Sequence, residues 1–354
     1  MKKVLIIFGG VSSEHDVSLC SARSVADRIR KDKWEVLTLG ITKDGRWLLY
    51  TGDTQNIENG TWLSDSDNVF PAVVSPDRSV HGITVYEKDG NRDIYIDVIF
   101  PVLHGKNGED GTIQGFFKIA GIPFVGCDTL SSAMCMDKAI TNTMAEHFGF
   151  LHAKWLGITK GEYAACSEKF IDDCAKYLGF PLFIKPANAG SSIGVSKVSS
   201  ADELEKAVED AFLHDTKIVA EEGIVGMEVE CAVIGSNENP RAPMVGEVVP
   251  CNDFYDYDAK YLANESELHI PARIDDVTFK TVQENAARIF TLLGCSGLAR
   301  ADFFVRTSDK KVLFNEINTI PGFTSISMYA KMLAKAGIEI EDVLEELLSL
   351  AMEQ

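Results

Sequence analysis

The first 125 residues alternate short apolar runs with amphipathic stretches: Val4 to Phe8, the helix-like Val17 to Ile29, Val36 to Ile41, then Ile94 to Leu103. Strands of a parallel sheet are covered on both faces and read as continuous apolar runs, and their crossovers need a dozen or more residues. The pattern therefore predicts an α/β unit built on a parallel sheet flanked by helices. Residues 51 to 92 interrupt it. They are polar and turn-rich, and read as an insertion whose short strands have no evident place.

The pattern changes from Gly126. Helices are predicted over Ser131 to Phe148 and Ala201 to Phe212, around a hairpin that enters at Phe183-Ile184-Lys185 and leaves through Gly194 to Val198. This is an α+β unit. Ser200 with Glu203 three residues on predicts a capping box for the second helix, and Ser13 with Asp16 resembles one at the first helix of the chain. A third part opens with Ile218 to Glu221, continues through strands at Glu228 to Ile234 and Val245 to Val249, and carries a long helix from Asp275 to Leu293, ended by Gly294. The chain of 354 residues thus divides into 1–125, 126–217 and 218–354.

Charge narrows the partners. Lys and Arg total 34 against 53 Asp and Glu, and a net charge of −19 repels nucleic acid and anionic membrane surfaces. A nucleotide is still admissible where a few lysines and metal ions offset its phosphates locally. The eight cysteines are scattered without a C-x-x-C pair and read as free thiols, and the apolar run after Met1 is too short for a leader or a span. Both point to a reducing cytoplasm.

Chemistry concentrates in a few segments. In Gly297 to Val305 and Lys311 to Asn318, period-two alternation puts Arg300 and Asp302 on one face and Glu316 and Asn318 on another; the link Arg306 to Lys310 is of hairpin length. If those faces align, three oxygen-bearing side chains meet a guanidinium, a set suited to Mg²⁺ shared with phosphates. Lys185 to Gly194 is a small-residue loop that lets backbone N–H groups approach anionic oxygens, although it is no Walker A loop. Gly9 to Ser18 joins the first strand to the first helix and lacks G-x-G-x-x-G, which weakens a dinucleotide-binding oxidoreductase. His104 to Gly111 follows an apolar strand, where open sheets place ligands. Asn252 to Tyr261, running on to about His269, mixes aromatics and charges without a period and reads as a lid.

In this order the segments closely resemble the D-alanine:D-alanine ligase family of the ATP-grasp superfamily, through Gly9 to Leu19, Leu103 to Gly115, Met136-Asp137-Lys138, Ile184 to Gly194, Glu221 to Glu228, Phe254 to Tyr261, Arg300 to Asp302 and Glu316 to Met328. The resemblance implies a three-domain ATP-grasp fold, α/β and α+β, with a Rossmann-like N-terminal domain. It implies that ATP is held by Lys138, Lys185, Ser192, Glu221, the Ile224 backbone, Glu228 and Lys260, and two Mg²⁺ (or Mn²⁺) by Asp302, Glu316 and Asn318. Two D-alanine molecules would be placed by Glu14, His104, Ser327 and Met328. Glu14, Ser191 and Tyr261 would form a hydrogen-bonded set, and Arg300 with the Gly322 N–H would stabilise the oxyanion. A homodimer serving peptidoglycan precursor synthesis is also implied. D-serine or D-lactate as acceptor remains open, although Tyr261 and Met328 favour D-alanine. A silent ATP-binding regulator of the same fold is the alternative from another class.

Overall fold

The chain is described by a computed structural model over residues 1–249, 267–324 and 326–353. Its first strands are β1 (Lys2–Gly9), β2 (Trp34–Ile41), β3 (Trp47–Tyr50), β4 (Val69–Val74), β5 (Gly82–Glu87), β6 (Gly90–Tyr95) and β7 (Val98–Pro101). They form one sheet in the order β6-β5-β4-β3-β2-β1-β7. Only β1 with β2 and β1 with β7 run parallel; β2 to β6 pair antiparallel. The expected parallel sheet is therefore its core alone, and the 51–92 insertion extends it by hairpins. β6 exposes all but one of its residues, so no apolar run marks it in the sequence. Helices α1 (His15–Arg28), α2 (Thr54–Glu58) and α3 (Thr112–Ala120) complete this unit.

The predicted helix 131–148 is two helices, α4 (Thr129–Met136) and α5 (Lys138–His147). Asp137 takes an extended conformation between them, and its carboxylate accepts the Ala139 and Ile140 N–H groups, both at 3.1 Å. The central unit continues with β8 (Trp155–Thr159), α6 (Lys160–Asp173), β9 (Leu182–Pro186), β10 (Ser196–Val198), α7 (Ala201–Ala211) and β11 (Lys217–Glu222). Its sheet order is β10-β9-β11-β8. β11, read as the start of the third part, pairs antiparallel with β9 and β8, so a boundary at 217 cuts this sheet and belongs after Glu222. Ser200 makes no side-chain cap; the Glu203 carboxylate turns instead to the Ser199 N–H at 2.8 Å. The capping box of this unit is Thr159 with Glu162, at the start of α6. Nor does Ser13 cap α1, whose N-cap is Glu14.

The third unit has β12 (Gly226–Gly235), β13 (Pro240–Val249), β14 (Glu267–His269), α8 (Asp276–Leu292), β15 (Gly297–Arg306), β16 (Val312–Asn318), α9 (Met328–Lys335) and α10 (Ile340–Glu353). The antiparallel order is β14-β13-β12-β15-β16. α8 falls within one residue of its predicted bounds at each end, with Asp275 as its N-cap accepting the Thr278 N–H at 2.9 Å and Gly294 left-handed just beyond its C-terminus.

Packing divides the chain differently from the sheets. Val4, Ile6 and Phe8 of β1 share one buried cluster with Tyr329 of α9 and with Leu344, Leu347 and Leu348 of α10. Arg30 to Asp342 (2.5 Å) and Lys33 to Glu345 (3.1 Å) fasten the rim of the same contact. Lys2 Nζ lies 3.4 Å from Met352 Sδ. The core of the central sheet, from Ile158 to Ala220, is a cluster of its own, while α4 and α5 pack through Cys135 and Ala145 into the core of the third unit. Among the described residues no helix is long and apolar enough to cross a membrane, and seven cysteines are free.

Candidate active site

Residues from all three units meet in one cleft of about 750 Å³, within the range of small-ligand sites. Glu14 supplies its first corner. As the N-cap of α1 it makes no side-chain cap, so its carboxylate is free to cross to the central unit, where Ser191 Oγ donates to it. A β-carbon at Gly105 would lie 2.3 Å from Glu14 Oε2, and one at Gly190 would lie 3.0 Å away. The carboxylate thus fits only between two bare backbones. Ser191 (φ 49°) and Ser192 (φ 58°) hold successive left-handed conformations, a strain that non-glycine residues carry mainly at binding sites.

The same loop is gripped from α5. Lys138 N–H bonds Ala187 O at 3.0 Å, and Lys138 Nζ reaches Ala189 O at 2.7 Å and stands 3.8 Å from Glu316. Lys185 pairs with Glu221 at 2.6 Å across adjacent strands, and Asn142 donates to the other Glu221 oxygen at 2.9 Å. Burial alone would raise the Glu221 carboxyl, but the Lys185 ammonium and Asn142 outweigh it and hold it below the usual carboxylate value. Burial likewise pulls Lys185 down, and Glu221, Glu316 and Glu228 together hold it above its ordinary value.

β15 and β16 pair in the register that brings Arg300 opposite Asn318 and Asp302 opposite Glu316, with a bulge just after Asp302. Arg300 grips Asp302 through two bonds of 2.8 and 2.7 Å and also lies 3.1 Å from Glu230 on β12. Burial disfavours its charge, yet these carboxylates keep the guanidinium protonated well above its normal range. Beyond β16, Ser327 Oγ accepts the Thr324 N–H at 3.2 Å, and a β-carbon at Gly322 would lie 2.7 Å from that oxygen. Met328 is buried beside Gly246, where a β-carbon would meet its sulfur at 2.9 Å.

Of the residues singled out in the sequence, Glu14, Lys138, Ser191, Arg300, Glu316, Asn318, Gly322, Ser327 and Met328 line this one cleft. Asp302 sits behind Arg300 and Glu316, and Lys185 and Glu221 pair beneath the loop on β9 and β11. Ser192, Ile224 and Glu228 are outside the cleft wall. His104 is outside it as well. It is buried, its Nδ1–H donates to Ile320 O at 3.0 Å, its Nε2 accepts from Ser21 at 2.9 Å, and it borders a second cavity. Burial outweighs the nearby Glu14 charge and holds the imidazole neutral. Lys260, Tyr261 and the lid up to residue 266 lie outside the described residues; its expected end, Glu267–His269, is strand β14, paired with β13.

Three site residues escaped sequence reasoning. Asn142 lies one helical turn beyond Lys138, and Glu230 lies one strand alternation beyond Glu228, so periodicity marked both. Glu109 had only its loop to mark it. It lines the cleft, and burial together with Glu14 pushes its carboxyl up to about 8 against the pull of two backbone N–H groups.

A nucleotide-sized cleft between a central sheet and a carboxylate-bearing antiparallel sheet, closed at one end by an α/β unit, defines the ATP-grasp class of enzyme. Two family profiles match this chain, "D-ala D-ala ligase N-terminus" over residues 3–127 and "D-ala D-ala ligase C-terminus" over residues 144–349. A D-alanine–D-alanine ligase of Caldicellulosiruptor bescii is 46% identical over 352 residues, 99% of this chain and 95% of that protein. D-alanine–D-alanine ligase B of Clostridium tetani is 45% identical over 99% of this chain and 93% of that protein. Among solved structures, the VanG D-Ala:D-Ser ligase of Enterococcus faecalis superposes with a TM-score of 0.89 at 45% identity, covering 99% of both chains. The D-alanine–D-alanine ligase of Coxiella burnetii gives 0.85 at 31%, covering 100% of this chain and 96% of that one. The chain belongs to the D-alanine–D-alanine ligase family.

Proposed function

We propose that this protein joins two D-alanine molecules at the expense of ATP, through an acyl phosphate. The observation that carries the reading is the cross-strand set of Arg300, Glu316 and Asn318, with Asp302 behind it, facing Lys138 and the Glu14–Ser191 link across one cleft. Glu14 accepts from the ammonium of the first D-alanine and so orients its carboxylate. An oxygen of that carboxylate attacks the γ-phosphorus, and ADP leaves. Both reactants are anionic, so Lys138 and Lys185 lower the repulsion.

Asp302 and Glu316 on neighbouring strands and the Asn318 amide are hard-oxygen donors of the kind divalent cations take, and would hold two Mg²⁺ or Mn²⁺, with Asp302 sharing its oxygens between an ion and Arg300. Bound there, such ions neutralise charge on the phosphates. In the second step the amine of the second D-alanine attacks the acyl carbonyl. Arg300 and the Gly322 N–H receive the developing oxyanion, the bond from the acyl carbon to the phosphate oxygen breaks, and the departing phosphate takes the proton that the amine gives up. Ser327 and Met328 border the acceptor's place. Free thiols among the described residues support a cytoplasmic site of action, and a homodimer rests on the resemblance alone.

Incubation with ATP, Mg²⁺ and D-alanine tests the reaction: ADP, phosphate and D-alanyl-D-alanine should appear in equal amounts by mass detection. ATP turnover without dipeptide would overturn it. The likeness to a D-Ala:D-Ser ligase keeps D-serine as a second acceptor reading. Competition between the two amino acids decides it. The apolar Met328 wall favours D-alanine by at most about 10²-fold, because an apolar pocket rejects an added hydroxyl only weakly.

A further inference from the structure

Glu109 is buried in the cleft wall, and none of the steps above uses it. Its carboxylate is divided between two distant loops. Oε2 accepts the Gly105 N–H at 2.7 Å within its own loop, and Oε1 accepts the Ile320 N–H at 3.1 Å, 211 residues away, sharing it with Asn318 Oδ1 at 3.2 Å. His104, on the same loop, donates to the Ile320 carbonyl at 3.0 Å. The loop after β7 therefore holds both backbone polar groups of Ile320. Two residues further on is Gly322, which faces the cleft.

The loop also bears on the other side of the reacting centre. Ser12 Oγ donates to His104 O at 2.9 Å and accepts the Glu14 N–H at 3.1 Å, and Gly105 abuts the Glu14 carboxylate. One loop thus sets the anchor for the first substrate's ammonium and the backbone that receives the oxyanion. Their separation must match a single carbonyl, and a misplacement of about 1 Å can cost on the order of 10² in rate.

We propose that Glu109 is a positioning residue for amide formation, whose two-loop hydrogen bonds hold the Ile320–Gly322 backbone in register with Glu14. The proposal rests on the ligase reading and deepens it. Its signature is uncoupling. When Gly322 N–H is misplaced, the acyl phosphate still forms at Glu14 and the lysines, but attack by the second amine slows and water competes for the intermediate.

The test is Glu109→Gln, whose amide accepts one of the two N–H groups and turns its own NH₂ against the other. We expect dipeptide formation to fall by about 10², the KM for ATP to stay within about two-fold, and the ratio of phosphate released to dipeptide formed to rise above one. Glu109→Asp keeps both acceptor oxygens on a shorter stem and should show a smaller rise in the same ratio, so it decides the matter if the Gln variant does not fold. A ratio of one in the folded variant overturns the proposal, whether turnover is normal or falls together with ATP affinity and Tm. If the wild-type protein makes no dipeptide, the ligase reading fails instead.

Discussion

Arg300 shows how much of this site depends on a single planar cation. It satisfies Asp302 with two parallel bonds while also meeting Glu230, a geometry that a lysine's point charge does not reproduce. Arg300→Lys should therefore fold yet lose about 10²–10³ in kcat, the scale of one oxyanion donor, in steady-state assays. Glu316→Gln keeps the shape and removes one charge opposite Asp302; we expect turnover to drop by about 10² or more, and near-normal activity would remove Glu316 from the metal-holding set. Away from the cleft, the carboxylate of Glu247 is buried under Arg273, which grips it at 2.8 Å through Nε and again through Nη2. Those bonds outweigh burial and hold its carboxyl below the ordinary 4.5. A depressed folded value contributes stability above the unfolded one and loses it as pH falls through the folded one. Glu247→Gln should therefore lower Tm at pH 7, and thermal melts should show that difference shrinking as pH drops below about 4.5.

At the scale of elements, Asp137 does two things at one break. It caps α5 and pairs with Lys217 of β11, so the helix that presents Lys138 is both started and aimed by one carboxylate. Asp137→Ala should cost about 1 kcal/mol for the lost cap, read by denaturant titration, and should raise the KM for ATP because Lys138 loses its footing. That break was not legible in the sequence, because apolar residues continue through it at Met136, Ile140 and Met144. β15 and β16 were legible to within one residue, since period two fixes faces locally and a short link fixes pairing. Strand 218–221 was legible as a strand but not as a neighbour of β8 and β9, because its pairing is decided by residues far away in the chain. Capping boxes fell between the two. The motif at Ser200 and the motif at Thr159 look alike, and only the competing Ser199 N–H separates them. Glu14 with Ser191, 177 residues apart, and Glu109 with Ile320 are contacts that no local pattern announces.

Across the whole molecule the first and third units are joined by the core that β1 and α10 share, while the central sheet keeps a cluster of its own, so the joined pair and the central sheet should unfold as a larger and a smaller unit. Calorimetry should resolve two unfolding transitions. Leu348→Ala should destabilise the larger by about 2–5 kcal/mol and Ile184→Ala the smaller by a similar amount, each leaving the other in place; a shift of both by either substitution would refute the division. The shared core also bears on how the chain is made. The face of β1 and β7 that carries Val4, Ile6, Phe8, Val98 and Phe100 is covered in part by Leu344, Leu347 and Leu348. Those residues leave the ribosome about 240 residues after β7, which at 5–20 residues per second is roughly 10–50 s later. For that interval α1 covers part of the face, and the part that belongs under α10 stays wet. The nascent chain therefore carries an oily surface through most of its synthesis, and its last fourteen helical residues act as the lid that an outside chaperone must otherwise provide.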